Sequence, residues 1–273
     1  MASDSTQRTD LAGVVLAAGA GRRLRPLTDE RPKALCPVGN RPLVDLAVER
    51  LSWAVRADAV AVNVHHQREL LERHLAAVHP AVHVSVEVAE ALGTAGALGH
   101  LRDWLGDRGV LLTNADAWLP LEPAALAAFV DGWDGQRTRL LCVTDPERGD
   151  FGPLRYAGLA LLPPATITAC PPTPAGLYEV SWRHDAEAGR LDLVTRDGPF
   201  IDCGTAGEYL AANLASLASR NGKAIGTDAS VVAPDAIVEG EVWRSVVWSG
   251  ARVHPREVLV DAVRTPRQTV LVR

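Results

Sequence analysis

Short apolar runs alternate with amphipathic stretches through the first half of the chain. Runs rich in branched residues predict five β-strands, at residues 13–17, 59–64, 83–88, 110–113 and 140–143. The strongest helical pattern covers residues 43–55, where apolar residues recur every three to four positions and Asp45, Glu49 and Arg50 face outward. Weaker helical patterns cover residues 67–77, 95–105 and 124–130. Strands that alternate with helices favour an α/β fold with a Rossmann-like, mostly parallel sheet and helices on both faces.

The pattern changes twice toward the C terminus. Residues 151–162 are strand-like, a proline-rich loop follows, and residues 207–219 have a helical pattern. From residue 222 branched residues recur every sixth position, with one shift of register, at Ile225, Val231, Ile237, Trp243, Val247, Val253 and Leu259. This spacing is typical of a left-handed parallel β-helix, in which each hexapeptide repeat forms one side of a triangular coil. An irregular β meander is the alternative interpretation.

These patterns predict a disordered tail at residues 1–10, a main domain at 11–221 and a short β-helix at 222–273. The β-helix has room for roughly two coils, which is too few to be stable alone. We therefore expect it to pack against the main domain or a second copy of the chain, and we expect a homo-oligomer.

Composition limits the classes of function. The chain has 273 residues, 47% of them hydrophobic, and a formal net charge of -5, which argues against a general nucleic-acid or membrane-surface role. Its four cysteines lie far apart, without the spacing of a zinc site or a disulfide framework. Prolines interrupt the longest uncharged stretch, residues 156–178, so no membrane span is expected. We expect a cytoplasmic protein without nucleic-acid or membrane partners.

One segment inverts the overall charge. Residues 14–38 contain a strand, then Gly19 and Gly21, and then five cationic side chains against two acidic ones, a local charge of +3. Backbone amides of a glycine-rich turn can bind phosphate oxygens, and clustered cations attract polyanions. The glycine spacing matches neither the phosphate-loop pattern nor the dinucleotide pattern, and alone it could be a plain turn. Lys33 stands out in this segment because the chain has only two lysines.

Four ordered motifs resemble the signature of the sugar-1-phosphate nucleotidyltransferases. They are LAAGAGRRLRPLT followed by PKAL at 16–35, LGTAGAL at 92–98, NAD at 114–116, and IDCGT followed by EYL at 201–210. In that family an oxygen of the sugar-1-phosphate attacks the α-phosphorus of a nucleoside triphosphate, and pyrophosphate leaves. The resemblance therefore implies an enzyme that forms an NDP-sugar from an NTP and a sugar-1-phosphate, its two small-molecule partners.

The resemblance also implies roles for individual residues. Arg23 would hold the β and γ phosphates, and Lys33 would bridge the attacking and attacked phosphates. Asp116 and Asp202 would meet at the carboxyl edge of the sheet and bind Mg2+, although each alone is more simply a turn or cap residue. The implied nucleotide contacts are Leu16, Ala17, Ala18, Gly19, Ala20, Gly21, Arg22, Glu87, Gly93 and Thr94. The implied sugar-phosphate contacts are Asn114, Arg155, Gly158 and Glu179.

Glu87 bears on the choice of nucleotide. A carboxylate can accept from two hydrogens of guanine, whereas uracil and thymine offer one donor, so we expect GTP. Mannose-1-phosphate is the first guess for the sugar. Glu90 competes with Glu87 for this role. The alternatives are a uridylyl- or thymidylyltransferase acting on another hexose-1-phosphate, or a catalytically silent regulatory subunit of the same fold. A silent subunit would have no catalytic reason to keep Arg23, Lys33 and both aspartates.

The sequence departs from the family at the sugar phosphate. Many relatives hold that phosphate with a second lysine, but no lysine lies between Lys33 and Lys223, and Arg148 and Arg155 occupy the region instead. Glu179, ahead of a strand-like stretch at 180–182, is the candidate for a sugar hydroxyl contact.

Two further features favour a structural interpretation. The adjacent His65 and His66 would point to opposite sides of a strand and are not expected to bind a metal. Trp243 stands at a six-residue repeat position and is expected in the core of the β-helix.

Overall fold

The structure, a computed structural model, describes residues 7–221 and 229–272. Residues 1–6 of the predicted tail, and Ile225 of the predicted repeat, lie outside the described residues. Within the predicted tail, Arg8 donates its backbone N–H to the Ala54 carbonyl at 2.9 Å. The predicted boundary at residue 222 stays a prediction.

The secondary structure comprises nineteen strands and eight α-helices in the described residues. The strands are β1 (Leu11–Leu16), β2 (Pro37–Val38), β3 (Arg41–Pro42), β4 (Val60–Val64), β5 (His83–Val86), β6 (Gly109–Asn114), β7 (Ala117–Trp118), β8 (Arg139–Thr144), β9 (Leu154–Leu162), β10 (Asp192–Thr195), β11 (Ile201–Asp202), β12 (Val231–Val232), β13 (Ile237–Val238), β14 (Glu241–Trp243), β15 (Val246–Val247), β16 (Arg252–Val253), β17 (Val258–Val260), β18 (Ala262–Arg264) and β19 (Thr269–Leu271). The helices are α1 (Leu43–Ser52), α2 (Arg68–Val78), α3 (Gly93–His100), α4 (Arg102–Leu105), α5 (Pro123–Val130), α6 (Pro164–Ala169), α7 (Arg183–Glu187) and α8 (Ala206–Asn221).

The chain divides into two units, each made of separate stretches of sequence. The first unit comprises Met1–Ala20, Val44–Ala115 and Leu121–Phe200. The second unit comprises Gly21–Leu43, Asp116–Pro120 and Ile201–Arg273.

A seven-stranded sheet with the order β10-β8-β9-β6-β1-β4-β5 forms the centre of the first unit. Four of its neighbouring pairs are parallel, and β9 runs antiparallel to both β6 and β8. Strands β1, β4 and β6 are buried along almost their whole length, as expected for parallel strands covered on both faces. The prediction of an α/β fold with a mostly parallel sheet is confirmed.

The register of the sheet brings three strand ends together. Leu16 at the end of β1 lies opposite Asn63 of β4 and Asn114 of β6. The loops that follow these strands therefore leave from one edge of the sheet, the edge at which open α/β sheets bind ligands.

The glycines of the third helix allow a close approach of the chain's own backbone. A Cβ on Gly96 would lie 2.4 Å from the Thr173 carbonyl oxygen, and one on Gly99 would lie 2.2 Å from that of Pro171. The small residues at 93–99 thus allow the backbone of residues 171–175 to pack closely against α3. This packing was not predicted from the sequence. The helix predicted at 95–105 is in fact two helices, α3 and α4.

Residues 178–182 form a π-helix, Tyr178–Trp182, and not the strand-like segment that the sequence predicted. This turn leads directly into α7, and Trp182 is buried in the core of the first unit. The run Val180–Trp182 is apolar enough for a strand, but it is too short for its periodicity to distinguish a strand from a helix.

The C-terminal part of the second unit consists of short parallel strand pairs. Strands β12, β15 and β18 form one row, while β13 pairs with β16 and β14 pairs with β17. The side chains between the rows form a small core of Val247, Ala251, Val253, Leu259 and Ala262. Rows of this kind are what successive coils of a parallel β-helix produce.

Two of the predicted core positions in this part are wrong. Ile237 is 53% exposed and Trp243 is 40% exposed, whereas their neighbours Ala236 and Val242 pack against the core. Paired strand positions lie 15 residues apart at Val231 and Val246, fewer than the roughly 18 that three strict six-residue repeats require. A shift of one residue moves a strand side chain to the opposite face, so the strict period fails at these two positions.

The C-terminal strands pack on the basic segment of the second unit. Gln268 donates to the Pro26 carbonyl at 3.2 Å, the Thr265 hydroxyl donates to Glu30, and the Arg31 guanidinium lies 4.4 Å from the centre of the Trp248 ring. The basic segment is therefore held from outside by residues more than two hundred positions later in the chain.

All four cysteines are buried and unpaired with one another. Burial raises the pKa of Cys36, Cys142 and Cys203 to about 12. Within the described part of the chain, no helix has the length and apolar character needed to cross a bilayer.

Candidate functional site

The basic segment folds back on itself through three short 3₁₀ turns, Arg22–Leu24, Leu27–Asp29 and Lys33–Leu35. Gly21 begins the first turn with φ +59°, where a Cβ would lie 2.9 Å from Thr28 Cγ2 and 3.1 Å from Lys33 Cβ. The Thr28 hydroxyl donates to the Gly21 carbonyl at 3.0 Å. The positive φ and the close contacts both require glycine here, and together they place Lys33 beside the glycine turn.

Lys33 lies between two carboxylates. Its Nζ is 3.1 Å from Asp116 Oδ2 and 3.3 Å from Asp202 Oδ1. Arg23 Nη2 lies 3.7 Å from the other oxygen of Asp202. We call Arg23, Lys33, Asp116 and Asp202 the Lys33 cluster. The structure thus brings together four residues that the resemblance singled out, although they are up to 179 positions apart in the sequence.

A short antiparallel strand pair sets the positions of the two aspartates. In the pairing of β7 with β11, Asp202 lies opposite Ala117, the residue after Asp116. The Cys203 N–H donates to the Asp116 carbonyl at 3.0 Å. Backbone hydrogen bonds therefore hold the main chain at the two aspartates side by side.

The charges of the Lys33 cluster are unevenly exposed. Lys33 is 7% exposed, while the side chains of Asp116 and Arg23 are 47% and 69% exposed. Burial would lower the pKa of Lys33, but the nearby carboxylates of Asp116 and Asp202 outweigh it, and the pKa is raised above its ordinary value. Lys33 is therefore a permanent ammonium ion at neutral pH, suited to neutralising negative charge and unsuited to accepting a proton.

A second set of contacts lies in the first unit, around Glu87. Glu87 is only 2% exposed, and its two oxygens accept from Asn63 Nδ2 at 2.7 Å and from the Leu92 N–H at 2.8 Å. Asn63 in turn accepts from the Ala17 N–H at 2.7 Å. This network ties the loop after β1 to the loop before α3. Each oxygen of the buried Glu87 side chain thus already accepts one hydrogen bond from the protein.

Asn63 was missed by the sequence analysis. Its signal was available, because a single amide within the buried apolar strand β4 must find hydrogen-bond partners. Three predicted nucleotide contacts lie on the loop that follows β1: Ala17 and Ala18 are buried, and Gly19 is exposed. Arg22, in the second unit, is exposed.

Two predicted nucleotide contacts, Gly93 and Thr94, are the first two residues of α3. The Thr94 hydroxyl accepts from the Leu177 N–H at 2.8 Å. The start of this helix is thereby attached to the segment that precedes the π-helix.

The predicted sugar-phosphate contacts lie on several elements of the first unit. Asn114 ends β6, and a Cβ on Gly158 of β9 would lie 3.5 Å from the Asn114 Cβ. Arg155 pairs with Asp145 at 3.4 Å and lies over the Phe200 ring at 5.0 Å. Glu179 is exposed on the π-helix. The structure brings Asn114 and Gly158 together, whereas among the described residues Glu179 forms no hydrogen bond or ion pair with Asn114, Arg155 or Gly158.

Arg50 is buried, contrary to the prediction that it faces solvent. It is 4% exposed, and its Nη1 donates to the Thr113 hydroxyl at 2.8 Å. Thr113 in turn donates to the Gly158 carbonyl at 3.0 Å. Burial, followed by repulsion from Arg196, lowers the pKa of Arg50 to about 10. The buried Arg50 guanidinium therefore contacts Thr113 near the end of β6. Helical periodicity alone could not predict this contact.

Comparison with known proteins places the chain among the nucleotidyl transferases, whose family model matches residues 12–152. An N-acetylmuramate alpha-1-phosphate uridylyltransferase from Caulobacter vibrioides is 32% identical over 229 residues, 73% of this chain and 94% of that protein. A mannose-1-phosphate guanyltransferase from Aspergillus oryzae is 26% identical over 244 residues, 78% of this chain and 67% of that protein.

A solved structure supports the same fold. It comes from Thermus thermophilus, is described as a mannose-1-phosphate geranyltransferase, and matches with a TM-score of 0.70 at 16% identity over 97% of this chain and 95% of that one. Together with the family match, these similarities show that the chain belongs to the sugar-1-phosphate nucleotidyltransferase family, whose members are NDP-sugar-forming enzymes.

Proposed function

We propose that this enzyme transfers a uridylyl group from UTP to a hexose-1-phosphate, with N-acetylmuramate α-1-phosphate as the first acceptor to test. The Lys33 cluster carries the proposal for the reaction, because it joins two cations and two carboxylates in one place. The 32% identity to a uridylyltransferase supports the choice of UTP. GTP with mannose-1-phosphate, the prediction from sequence, is the alternative; we rank it second because Glu87 is buried and both its oxygens accept hydrogen bonds from the protein.

The reaction needs charge neutralisation more than proton transfer. An oxygen of the sugar phosphate attacks the α-phosphorus, the bond to the β-phosphate oxygen breaks, and pyrophosphate leaves. The attacking oxygen is already anionic at neutral pH, so no general base is required. Lys33, with its raised pKa, would stabilise the charge on the reacting phosphates, and Arg23, exposed to solvent, would hold the leaving pyrophosphate.

The two aspartates fit a magnesium site. Carboxylate oxygens are the ligands that Mg2+ prefers, and the position of the Lys33 ammonium shows that a positive charge is stable between Asp116 and Asp202. Asp116 and Asp202 would hold the ion, which when bound supplies further neutralisation of the triphosphate.

The substrate contacts are proposed separately for each unit. In the first unit, residues 16–20, Gly93 and Thr94 would contact the nucleotide, and Glu87 would act through Asn63 by fixing the loop at Ala17. Asn114, Gly158, Arg155 and Glu179 would contact the sugar phosphate. In the second unit, Gly21 and Arg22 would contact the nucleotide. In the first unit, Arg155 would bind the sugar phosphate, which a second lysine binds in many relatives.

The architecture of the C terminus is also part of the proposal. We propose that residues 229–272, the described part of the segment predicted from residue 222 onward, form a short left-handed β-helix, supported by three rows of parallel strand pairs. Exposed apolar side chains of β14 and β17, among them Trp243, Val258 and Val260, support a homo-oligomer. Sedimentation at several concentrations tests this, and a monomer at all of them would contradict it.

The function is tested with purified protein, Mg2+, each of the four NTPs and a panel of sugar-1-phosphates. Pyrophosphate release is measured by a coupled assay, and the NDP-sugar is identified by mass spectrometry. We expect the highest kcat/KM with UTP. A preference for GTP and mannose-1-phosphate would overturn the choice of base, and no release with any pair would overturn the proposed activity.

A further inference from the structure

Two histidines and one aspartate of the first unit converge at the ends of two helices. Asp45 lies in the first turn of α1, His74 lies in the last part of α2, and His79 follows the end of α2. Asp45 Oδ1 is 2.7 Å from His74 Nε2 and 2.9 Å from His79 Nε2. One ligand atom from each residue lies within 4.8 Å of the other two. In the described part of the chain this is the one group of three or more potential metal ligands.

The local structure explains why these side chains meet. His74 and His79 are five positions apart, and the chain leaves the helix at His79, whose N–H donates to the Leu75 carbonyl at 2.7 Å. The turn at the helix end brings the second imidazole toward the same carboxylate oxygen as the first. Both Nε2 atoms therefore lie within hydrogen-bond distance of one carboxylate oxygen, and the three potential ligand atoms are close enough to share a metal ion.

The chemistry of the three ligands selects the class of metal. Imidazole nitrogen suits zinc and its neighbours in the first transition row, whereas Mg2+ prefers oxygen ligands alone. Typical Zn2+ bond lengths of about 2.0–2.2 Å in a tetrahedron place neighbouring ligand atoms about 3.3 Å apart. The observed separations of 2.7 and 2.9 Å would have to grow by only about half an ångström. Each imidazole would then carry its proton on Nδ1 and present a lone pair on Nε2.

The cluster is shielded but still open to water. The side chains of Asp45, His74 and His79 are 14%, 22% and 19% exposed. This exposure leaves access for an ion and a place for a water molecule as a fourth ligand, the arrangement of zinc sites with three protein ligands.

We propose that Asp45, His74 and His79 bind one Zn2+ ion, which links the start of α1 to the end of α2. Neither histidine stands in a known metal motif, and Asp45, predicted only to face outward on its helix, is remote from both in sequence. The site is independent of the proposed reaction, and it differs from the Asp116 and Asp202 pair in ligand chemistry.

The test compares metal binding by the full chain and by two matched variants. His79→Gln retains an N–H donor toward Asp45 and loses the metal-ligating nitrogen, so it separates a hydrogen bond from a metal site. His100→Gln removes an exposed histidine outside the cluster and is the control. Protein freed of metal with a chelator is titrated with Zn2+ by calorimetry and with Co2+, whose visible absorption reports four-coordinate binding.

We expect one equivalent of Zn2+ and of Co2+ per chain for the wild type and for His100→Gln. For His79→Gln we expect at least a tenfold loss of affinity, since even outer partners of metal ligands change affinity by about 10- to 100-fold. One equivalent of Zn2+ should also raise the Tm of the wild type and leave that of His79→Gln unchanged. Equal binding by His79→Gln, or no stoichiometric binding by the wild type, would overturn the proposal; in the second case the cluster is a hydrogen-bonded structure only. Circular dichroism of metal-free His79→Gln checks that the variant is folded.

Discussion

Replacing Lys33 by methionine tests the central feature of the site. Lys33→Met keeps the length and apolar stem of the side chain and removes the ammonium. The carboxylates of Asp116 and Asp202, which lie 3.1 and 3.3 Å from Nζ, then face each other without the cation between them. Arg23 remains near Asp202 at 3.7 Å, but its exposed side chain compensates only in part.

The structure gives the size of the effect. At an effective dielectric constant of 20, each contact with Lys33 contributes about 5 kcal/mol of attraction before desolvation. Loss of one partner from a buried ion pair costs about 3–5 kcal/mol. Because the Asp116 side chain is 47% exposed, solvent screening reduces this cost. We expect the free energy of unfolding to fall by about 1–3 kcal/mol.

The raised pKa of Lys33 predicts how this difference depends on pH. The folded protein binds the lysine proton more tightly than the unfolded chain does, because Asp116 and Asp202 favour the charged form. The stabilisation is therefore fully present below the ordinary pKa of 10.5 and is lost as pH rises through the higher folded value. The difference between wild type and Lys33→Met should stay constant from pH 7 to 9 and shrink above pH 10.5.

Urea denaturation and steady-state kinetics measure the two effects. We expect kcat/KM for pyrophosphate release to fall about 10²- to 10³-fold, the usual cost of losing one transition-state contact of this kind. Arg252→Met is the control, since Arg252 forms an exposed ion pair with Glu239 that should contribute less than about 1 kcal/mol. Wild-type activity in Lys33→Met would refute the assigned role, and wild-type stability would refute the electrostatic argument.

Three further predictions concern the surroundings of the site. Gly21→Ala places a methyl group at φ +59° and against Thr28, so the free energy of unfolding should fall by at least about 1–2 kcal/mol. Gly19→Ala, whose Cβ would meet open space, is the control and should cost less; equal losses in urea denaturation would contradict this prediction. Glu87→Gln turns its amide NH2 group toward Asn63 Nδ2 or the Leu92 N–H, both of which are donors, so the free energy of unfolding should fall by about 1–3 kcal/mol. Thermal unfolding measures the loss, and an unchanged Tm would show that this network does not stabilise the fold. Burial raises the thiol pKa to about 12 for Cys36, Cys142 and Cys203 and to about 11 for Cys170. All four thiols should therefore react with Ellman's reagent at pH 8 only after denaturation, and rapid reaction of the native protein would contradict their burial.

Local patterns predicted the sheet well, because buried parallel strands are continuous apolar runs in the sequence. The strand predicted at 59–64 is observed at Val60–Val64, and the helix predicted at 43–55 is observed at Leu43–Ser52. The antiparallel direction of β9 was not predictable in this way, since it depends on the path of the chain between strands.

Side-chain burial was less predictable, because it depends on neighbours from distant parts of the sequence. Helical periodicity placed Arg50 in solvent, yet it is buried beneath Thr113. A six-residue period placed Trp243 inside the C-terminal coils, yet a one-residue change of register turned it outward.

The four residues of the Lys33 cluster were predicted from motifs, whose spacing encodes long-range contacts that periodicity cannot show. Asn63 and the cluster of Asp45, His74 and His79 belong to no such motif. They became visible only when the fold brought their elements together.

The contact between Thr265 and Glu30 has a consequence for biosynthesis. These residues are 235 positions apart, and the ribosome adds about 5–20 residues per second, so Glu30 waits about 10–50 s for its partner to be made. Asp202 likewise emerges long after Lys33. The basic segment thus acquires its contact with Thr265 only after a further 235 residues have been added to the nascent chain.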